Sequence, residues 1–220
     1  MFVTLEGIDR SGKTTQAAML AEALGPETLL LREPGGTEAG ERIRALLKDP
    51  ALELGVGGET LLFLAARSEL ATHVIAPARE TGRDVVCDRY IDSTIAYQGR
   101  AIGHLFEDSP DYPGMSALEI GIELGERLNA LVIGHCVPDL TVLVRIDPET
   151  AQLRGQQRLA EGVRDGADRF ETRGVDFQRQ VAAAYEELLA RHPERIVAVD
   201  GSGTPDEVHE RVLAAVRERR

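Results

Sequence analysis

The chain has 220 residues, of which 43% are apolar and 28% are charged, so its composition supports a packed core and excludes an intrinsically disordered protein. Its formal net charge of −12 argues against a broad nucleic-acid-binding surface and against a binding face for anionic membranes, because like charges repel. A local basic pocket for a small phosphorylated ligand is compatible with that charge.

The predicted elements alternate between short β-branched runs and longer helical patterns, which is typical of a parallel sheet covered by helices on both faces. Five strands are predicted, at residues 2–6, 28–31, 84–87, 140–146 and 195–199. Helices are predicted at residues 14–24, 38–47, 59–80, 116–133, 149–159, 176–191 and 205–217. The least regular stretches are 51–58, 99–114 and 161–174, and no repeat or linker divides the chain, so one α/β domain over residues 1–220 is expected.

The last predicted helix has the clearest boundary. Thr204 precedes it as an N-cap, Pro205 suits the first helical position, and Glu207 completes a T-x-x-E capping box. Ligands bind at the carboxyl ends of the strands in open α/β sheets, so the turns after each strand are where functional residues are expected.

The turn after the first predicted strand carries a phosphate-binding motif. It reads G-I-D-R-S-G-K-T from residue 7 to residue 14 and runs into a helical pattern, which is the strand–loop–helix context that this motif requires. Lys13 is expected to reach the β and γ phosphates of ATP, and the Thr14 hydroxyl is expected to ligate Mg²⁺. The predicted ATP-binding residues are Gly7, Ile8, Asp9, Arg10, Ser11, Gly12, Lys13, Thr14 and Thr15.

Lysine is rare in this sequence. Lys13 and Lys48 are the two lysines among 25 basic residues, and the other 23 are arginines. A compact ammonium fits inside a phosphate-binding loop better than a planar guanidinium does, which agrees with a lysine at position 13. Neither lysine follows an asparagine, so the N-K-x-D element of a guanine-specific switch protein is missing.

The turn after the third predicted strand reads D-V-V-C-D-R-Y, from residue 84 to residue 90. Asp88 at the strand end supplies a carboxylate that could hold Mg²⁺ through water beside the phosphate loop. Arg89 could bind a phosphate through its bidentate fork, although an Asp–Arg pair at a strand end also has a purely structural reading.

Further candidate residues follow the second strand and lie in the third helix. The sequence L-R-E-P-G-G-T spans residues 31–37, and Arg44 lies in the helix after it. Phe63 and Arg67 are four residues apart and share a helix face, where a ring and a guanidinium could stack on a base and bind its carbonyl edge. Alone, such a pair is more often part of an amphipathic helix with a core phenylalanine. Tyr97 and Gln98 lie just beyond the Arg89 turn, within S-T-I-A-Y-Q-G.

In combination and in this order, the motifs resemble the thymidylate kinase family. They are L-E-G-I-D-R-S-G-K-T-T-Q, R-E-P-G-G-T, the F-x-x-x-R pair, D-R-Y, A-Y-Q-G, P-D-L-T at residues 138–141 and D-R-F-E at residues 168–171. The resemblance implies the P-loop NTPase fold, with a five-stranded parallel sheet flanked by helices and a mobile lid over residues 154–168. It also implies transfer of the γ-phosphoryl group of ATP to thymidine monophosphate, with Mg²⁺, for dTTP biosynthesis.

The resemblance also implies roles for the acceptor residues. Asp9 should meet the 3′-hydroxyl of the sugar or the metal, and Arg89 should hold the acceptor phosphate with Arg44 as a helper. Phe63 should stack on thymine and Arg67 should bind its exocyclic oxygen. The remaining substrate residues are those expected to read the base edge, Ser93 and Thr94, and those expected to crowd the 2′ position of the sugar, Tyr97 and Gln98.

The catalytic arginine stays unassigned. Arg10 in the phosphate loop matches one arrangement of the family, whereas many bacterial members place this arginine in the lid, where Arg154 and Arg158 are the candidates. Gly155, Gly162 and Gly166 suit a loop that folds over ATP. Arg145 stands where many members have aspartate, so a carboxylate role at that position is in doubt.

Two alternatives remain open from the sequence. One is a P-loop kinase for a different nucleoside monophosphate or for a deoxynucleoside, against which D-R-Y combined with Y-Q-G favours a monophosphate acceptor. The other is a nucleotide-binding protein without catalysis.

The cellular setting is predicted from what the sequence lacks. No stretch approaches the roughly 18 to 20 apolar residues of a membrane span, and Met1 leads directly into F-V-T-L-E, so a cytoplasmic protein with free Cys87 and Cys136 is expected. The family further implies a homodimer formed through the helices predicted at 59–80 and 116–133.

Overall fold

Five parallel strands form the centre of the molecule. The computed structural model describes residues 1–160 and 174–220, apart from the side chains of Arg158 and Leu159. The strands are β1 (Phe2–Glu6), β2 (Leu29–Arg32), β3 (Val85–Asp88), β4 (Leu140–Arg145) and β5 (Ile196–Asp200), and they lie in the order β2-β3-β1-β4-β5. All neighbouring strands pair in parallel, and each predicted strand is confirmed to within one residue at either end.

Helices cover both faces of this sheet, as the alternating pattern predicted. In the described part of the chain they are α1 (Lys13–Leu24), α2 (Glu38–Lys48), α3 (Val56–Leu70), α4 (Ala76–Glu80), α5 (Ile91–His104), α6 (Ala117–Ile133), α7 (Pro148–Ala160), α8 (Gly174–Arg191) and α9 (Pro205–Glu218). The capping box predicted for the last helix is confirmed, because Thr204 Oγ1 accepts from the backbone N–H of Glu207 and the Glu207 carboxylate accepts from that of Thr204.

The two faces of the sheet bury alternate residues of β1. Val3 and Leu5 pack in an apolar cluster with residues of α1 and α9. Phe2 packs on the opposite face in a cluster that includes residues of α3 and α6, and α5 and α8 pack beyond it on that same face. Of the helices that the structure describes, none is long and apolar enough to cross a membrane.

The helix predicted at 59–80 is helical throughout but is not a regular α-helix. It starts earlier, at Val56, and a π-helical turn over Ala71–Ile75 separates α3 from α4. Pro77 explains the interruption, because proline lacks a backbone N–H and its ring crowds the carbonyl group four residues before it.

Helix α5 was missed by the sequence analysis, which assigned residues 99–114 to irregular structure. Its sequence, I-D-S-T-I-A-Y-Q-G-R-A-I-G-H, contains β-branched residues and two glycines, which have low intrinsic helix propensity. Packing against α6 stabilises it instead. A Cβ at Gly121 would lie 1.9 Å from the carbonyl oxygen of Gly99, and one at Gly103 would lie 1.7 Å from that of Ala117, so the two backbones are in direct contact.

Candidate active site

The phosphate-binding loop joins β1 to α1 at the carboxyl edge of the sheet. Gly7 has a φ of 145°, and a Cβ there would lie 2.6 Å from the carbonyl oxygen of Val144, so a larger residue does not fit. Gly12, with a φ of 98°, caps the first turn of α1. The Lys13 ammonium donates to the carbonyl oxygen of Ile8 at 3.0 Å, so its side chain folds back over the loop.

Lys13 is a buried cation. Burial and, next, the neighbouring Arg89 guanidinium lower its pKa to about 8, against the opposite effects of Asp9, Asp88 and Glu6. An anion bound in the loop would stabilise the charged ammonium. The loop is therefore suited to phosphate by its charge as well as by its backbone geometry.

A small oxygen cluster borders the loop at the end of β3. The Thr14 hydroxyl donates to Asp88 Oδ2 at 2.5 Å. Asp88 Oδ1 is buried, and no hydrogen-bond partner for it exists among the described residues. A carboxylate and a hydroxyl at this distance suit Mg²⁺, which prefers oxygen ligands and binds through few protein groups in phosphate sites. Within residues 1–160 and 174–220, no cluster of three or more metal-binding side chains is found.

Arg89 lies at the centre of the second half of the site. Its φ of 70° is left-handed, and this geometry turns the residue back over the loop. Nη1 donates to the carbonyl oxygen of Gly7 at 3.3 Å and to Ser93 Oγ at 3.1 Å. Nη2 donates to Asp9 Oδ1 at 2.5 Å and to the Tyr97 hydroxyl at 2.9 Å, and the guanidinium lies 4.6 Å from the Tyr97 ring centre.

Asp9 is fixed from two sides. Gln178 of α8 accepts from its backbone N–H at 3.1 Å and donates to its Oδ2 at 2.7 Å, while Tyr97 donates to its Oδ1 at 2.9 Å. Burial acts to raise the pKa of Asp9, but the positive charges of Arg89 and Lys13 and these hydrogen bonds outweigh it, so the pKa lies below its usual value. Asp9 is therefore an ionised carboxylate that lines the same cleft as Arg89.

A cleft opens beside Arg89. Arg44 donates to the carbonyl oxygen of Pro34 at 2.7 Å at its edge, and Gln98 donates to Glu59 Oε1 at 3.1 Å. Phe63 contributes an aromatic wall. The structure thus brings together in one cleft nearly all of the predicted substrate residues: Asp9, Arg44, Phe63, Arg89, Ser93, Thr94, Tyr97 and Gln98.

Arg67 lies behind this cleft and does not line it. It is 1% exposed. All five of its N–H donors have acceptors within 2.9 Å: Glu33 Oε2 twice, Thr94 Oγ1, Asn129 Oδ1 and the carbonyl oxygen of Tyr90. Thr94 lies between the guanidinium and the cleft. The structure therefore does not place Arg67 where a direct contact with a base was expected.

The Ser93 hydroxyl points toward the Arg89 side of the cleft. It donates to Glu6 Oε2 at 2.6 Å and lies 3.1 Å from the Tyr185 hydroxyl and from the Arg89 guanidinium. The other Glu6 oxygen accepts from the backbone N–H of Tyr90 at 2.7 Å, where α5 begins. Glu6 thus anchors the start of α5 to the end of β1.

A second pocket lies on the other side of the phosphate loop, between the loop, α7 and the turn after β5. Arg154 spans it, donating to the carbonyl oxygens of Ser11 at 3.3 Å and of Gly201 at 3.0 Å. Thr15 of α1 and Pro205 at the start of α9 also line this pocket. The Ser11 hydroxyl is buried, with no hydrogen-bond partner among the described residues.

Arg10 has a left-handed φ of 63°, and its side chain lies against the backbone of α7 at Gly155. The expectation that Gly155 belongs to a loop is wrong, because it lies inside α7. The rest of the predicted lid lies largely outside the described residues. This applies to Gly162, Gly166 and the D-R-F-E motif, and the Arg158 side chain is also not described.

Arg145 at the end of β4 is half exposed and pairs with Glu186 of α8 at 2.5 Å. No role in the site follows from this position.

Several residues of the site have no motif that would reveal them. Gln178 and Tyr185 lie on a helix far along the chain, and Asn129 lies on α6. Glu6 stands inside the conspicuous L-E-G-I-D sequence, and Glu33 inside R-E-P-G-G-T, so their positions were an available signal. Their burial and partners come from the topology, which places the ends of β1, β2 and β3 side by side.

The comparisons with known proteins agree with one another. The model of the family described as thymidylate kinase matches residues 5–212. A thymidylate kinase of Deinococcus radiodurans is 38% identical over 100% of this chain and 97% of its own length. Another, of Syntrophotalea carbinolica, is 39% identical over 96% of this chain and 92% of its own length.

The fold is also similar to that of a solved structure. The crystal structure of a thymidylate kinase from Ehrlichia chaffeensis superposes with a TM-score of 0.72 at 31% sequence identity, covering 99% of this chain and 98% of that one.

Proposed function

The chain belongs to the thymidylate kinase family and phosphorylates thymidine monophosphate with ATP. From that premise we propose a role for each residue of the site in binding and phosphoryl transfer. The observation that carries the proposal is the position of Arg89. Its guanidinium lies between the phosphate loop and the cleft, within hydrogen-bond distance of both Gly7 and Tyr97. A phosphate bound there lies beside the donor phosphates.

The acceptor phosphate binds to Arg89, with Arg44 at the cleft edge as a second positive charge. Guanidinium groups bind phosphate through paired, charge-assisted hydrogen bonds. Asp9 remains ionised and accepts from the sugar hydroxyl or orders the metal. Tyr97 and Gln98 limit the space around the sugar, since both line the cleft and both are fixed by hydrogen bonds to acidic residues.

Thymine binds between Phe63 and Thr94. The ring of Phe63 offers a stacking surface. Thr94 Oγ1 accepts from Arg67 at 2.8 Å, so its own O–H is directed to another acceptor, such as a base carbonyl. In this proposal Arg67 acts on the base through Thr94, and a direct contact with thymine requires exchange of one of its internal hydrogen bonds.

ATP binds across the phosphate loop, with its phosphates on the backbone N–H groups of Gly7 to Thr15 and on Lys13. Its base and sugar lie in the second pocket, beneath the Arg154 guanidinium. Thr14 and Asp88 would hold Mg²⁺, Asp88 through water, and the buried Asp88 Oδ1 supports this assignment. When bound, Mg²⁺ neutralises charge on the donor phosphates.

Little acid–base chemistry is needed for this reaction. The attacking group is a phosphate oxygen, which is already nucleophilic at pH 7, so alignment of the two phosphates and neutralisation of charge on the transferred group carry the rate. Lys13, Arg89 and a further arginine supply the neutralising charge. We assign this third role to Arg10, because Arg10 lies in the same loop as Lys13.

The variant R10A is expected to lose about 100-fold in kcat, because a cation on the transferred phosphoryl group stabilises the transition state more than the ground state. The variant R158A, its counterpart in α7, is expected to lose less than about tenfold. Steady-state kinetics with varied thymidine monophosphate and ATP measures both. Equal or reversed losses would show that Arg158 supplies the positive charge on the transferred phosphoryl group.

A homodimer formed through α3 and α6 is proposed from two exposed leucines. Leu61 on α3 is 62% exposed and Leu131 on α6 is 81% exposed, and the two helices pack against each other. A contiguous exposed apolar patch is typical of an interface, and the proposed dimer would bury both leucines. A cytoplasmic location is also proposed, and the free, buried thiols of Cys87 and Cys136 are compatible with a reducing compartment.

Light scattering is expected to give the mass of a dimer for the wild-type chain and a lower mass for L131E, because a buried, unpaired carboxylate disfavours association. The control L105E changes a leucine that is 64% exposed after α5, and it should keep the wild-type mass. A monomeric wild-type chain, or equal masses for both variants, contradicts this interface.

A further inference from the structure

Two consecutive residues of α7 contact the phosphate loop. The Arg154 guanidinium lies 3.3 Å from the carbonyl oxygen of Ser11 and 3.5 Å from that of Arg10. Gly155 is buried and faces the Arg10 side chain. A Cβ built at Gly155 would lie 2.5 Å from Nε, 2.6 Å from Cζ and 2.7 Å from Cδ of Arg10. The guanidinium of Arg10 thus lies against the bare helix backbone, in space that a single methyl group would fill.

The backbone of α7 does not require glycine at this position. Gly155 is absent from the positive-φ residues, so alanine adopts its conformation without strain. Glycine in a helix interior costs about 1 kcal/mol relative to alanine. Gly58 in α3 shows the contrast, because nothing lies within 4 Å of a Cβ built there. The distinguishing property of Gly155 is therefore the room it leaves for Arg10.

We propose that Gly155 is a positioning residue for Arg10. Because glycine has no side chain, it leaves the space in which the side chain of the loop arginine lies against α7. The proposal rests on the proposed role of Arg10 in transfer. The Arg10 backbone lies in the left-handed region, and this conformation sets the direction in which the Cα–Cβ bond leaves the loop. The α7 backbone then limits where the guanidinium can lie. A displacement of about 1 Å at a reacting centre can cost up to about 100-fold in rate.

The test is the variant G155A, with G58A as the matched glycine-to-alanine control in another helix. G155A is expected to lower kcat about tenfold, with the KM values for thymidine monophosphate and ATP changed less than about twofold. The thermal unfolding midpoint should not fall, because the atoms that must move belong to the end of a flexible side chain. G58A should have wild-type kinetics.

A double-mutant cycle distinguishes positioning from a general effect on α7. If Gly155 acts through Arg10, G155A has no further effect on kcat in the R10A background. A full loss in R10A combined with wild-type kinetics in G155A overturns the inference and leaves the role of Arg10 standing. Equal losses from G155A with and without Arg10 also overturn it. Wild-type kinetics in R10A itself overturns both proposals.

Discussion

Replacing Lys13 by alanine is expected to lower kcat by about 10³- to 10⁵-fold, the range that one cation on the transferred group supplies in phosphoryl transfer. Lys13 is the buried cation of the phosphate loop, and its ammonium already lies 3.0 Å from the loop carbonyl of Ile8. K13A removes the positive charge that stabilises the negative charge of the phosphates. Pre-steady-state or steady-state assays with saturating ATP and thymidine monophosphate measure the loss.

The variant K13R separates charge from shape. It keeps a positive charge, but a planar guanidinium is larger and directs its donors differently, so kcat is expected to stay at least about 100-fold below wild type. Circular dichroism and thermal unfolding of both variants show whether the loop residues still fold. Turnover near the wild-type value in K13A would contradict the assignment of the loop.

Replacing Arg89 by alanine is expected to lower kcat/KM for thymidine monophosphate by about 10³-fold. Two charge-assisted hydrogen bonds to a phosphate are each worth about 1.5–3 kcal/mol, and both are lost. The change also leaves Asp9 without its 2.5 Å ion pair, which raises the pKa of that carboxyl from its lowered value. The effect should appear as a higher KM for thymidine monophosphate together with a lower kcat.

The KM for ATP identifies the site of the effect. It should change much less in R89A than the KM for thymidine monophosphate, because Arg89 lines the acceptor cleft and the second pocket lies on the other side of the loop. R42A is the matched control, since Arg42 is an exposed arginine on α2 that pairs with Glu38. An unchanged KM for thymidine monophosphate in R89A would mean that the acceptor phosphate binds elsewhere.

The strands and the phosphate loop were predictable because local sequence determines them. The apolar residues at 2–6 alternate between two buried faces, and the motif from Gly7 to Thr14 needs only its own glycines and the helix that follows. Most of the cleft residues were also predictable, since Asp9 and Arg89 follow strand ends and Ser93 to Gln98 lie in the helix after β3. Arg44 and Phe63 lie farther from a strand end, and the order of the motifs indicated them.

Tertiary packing explains what was missed. Helix α5 has weak helix propensity, and its stability depends on glycine contacts with α6, which lies later in the chain. Gln178 has no neighbouring motif, yet the fold places its amide on both the backbone and the carboxylate of Asp9. The internal bonding of Arg67 likewise needs four partners from three segments of the chain, and no spacing rule predicts that set.

The Asp9–Arg89 pair has a consequence for how the cleft tells ligands apart. The Arg89 guanidinium is already paired with an anion, because its Nη2 donates to the carboxylate of Asp9. In the proposed binding mode, a phosphate that binds Arg89 displaces this carboxylate, so loss of the Asp9–Arg89 ion pair offsets part of the electrostatic gain. We therefore expect the sugar and the base, through their contacts with the walls of the cleft, to favour the nucleotide over small inorganic anions.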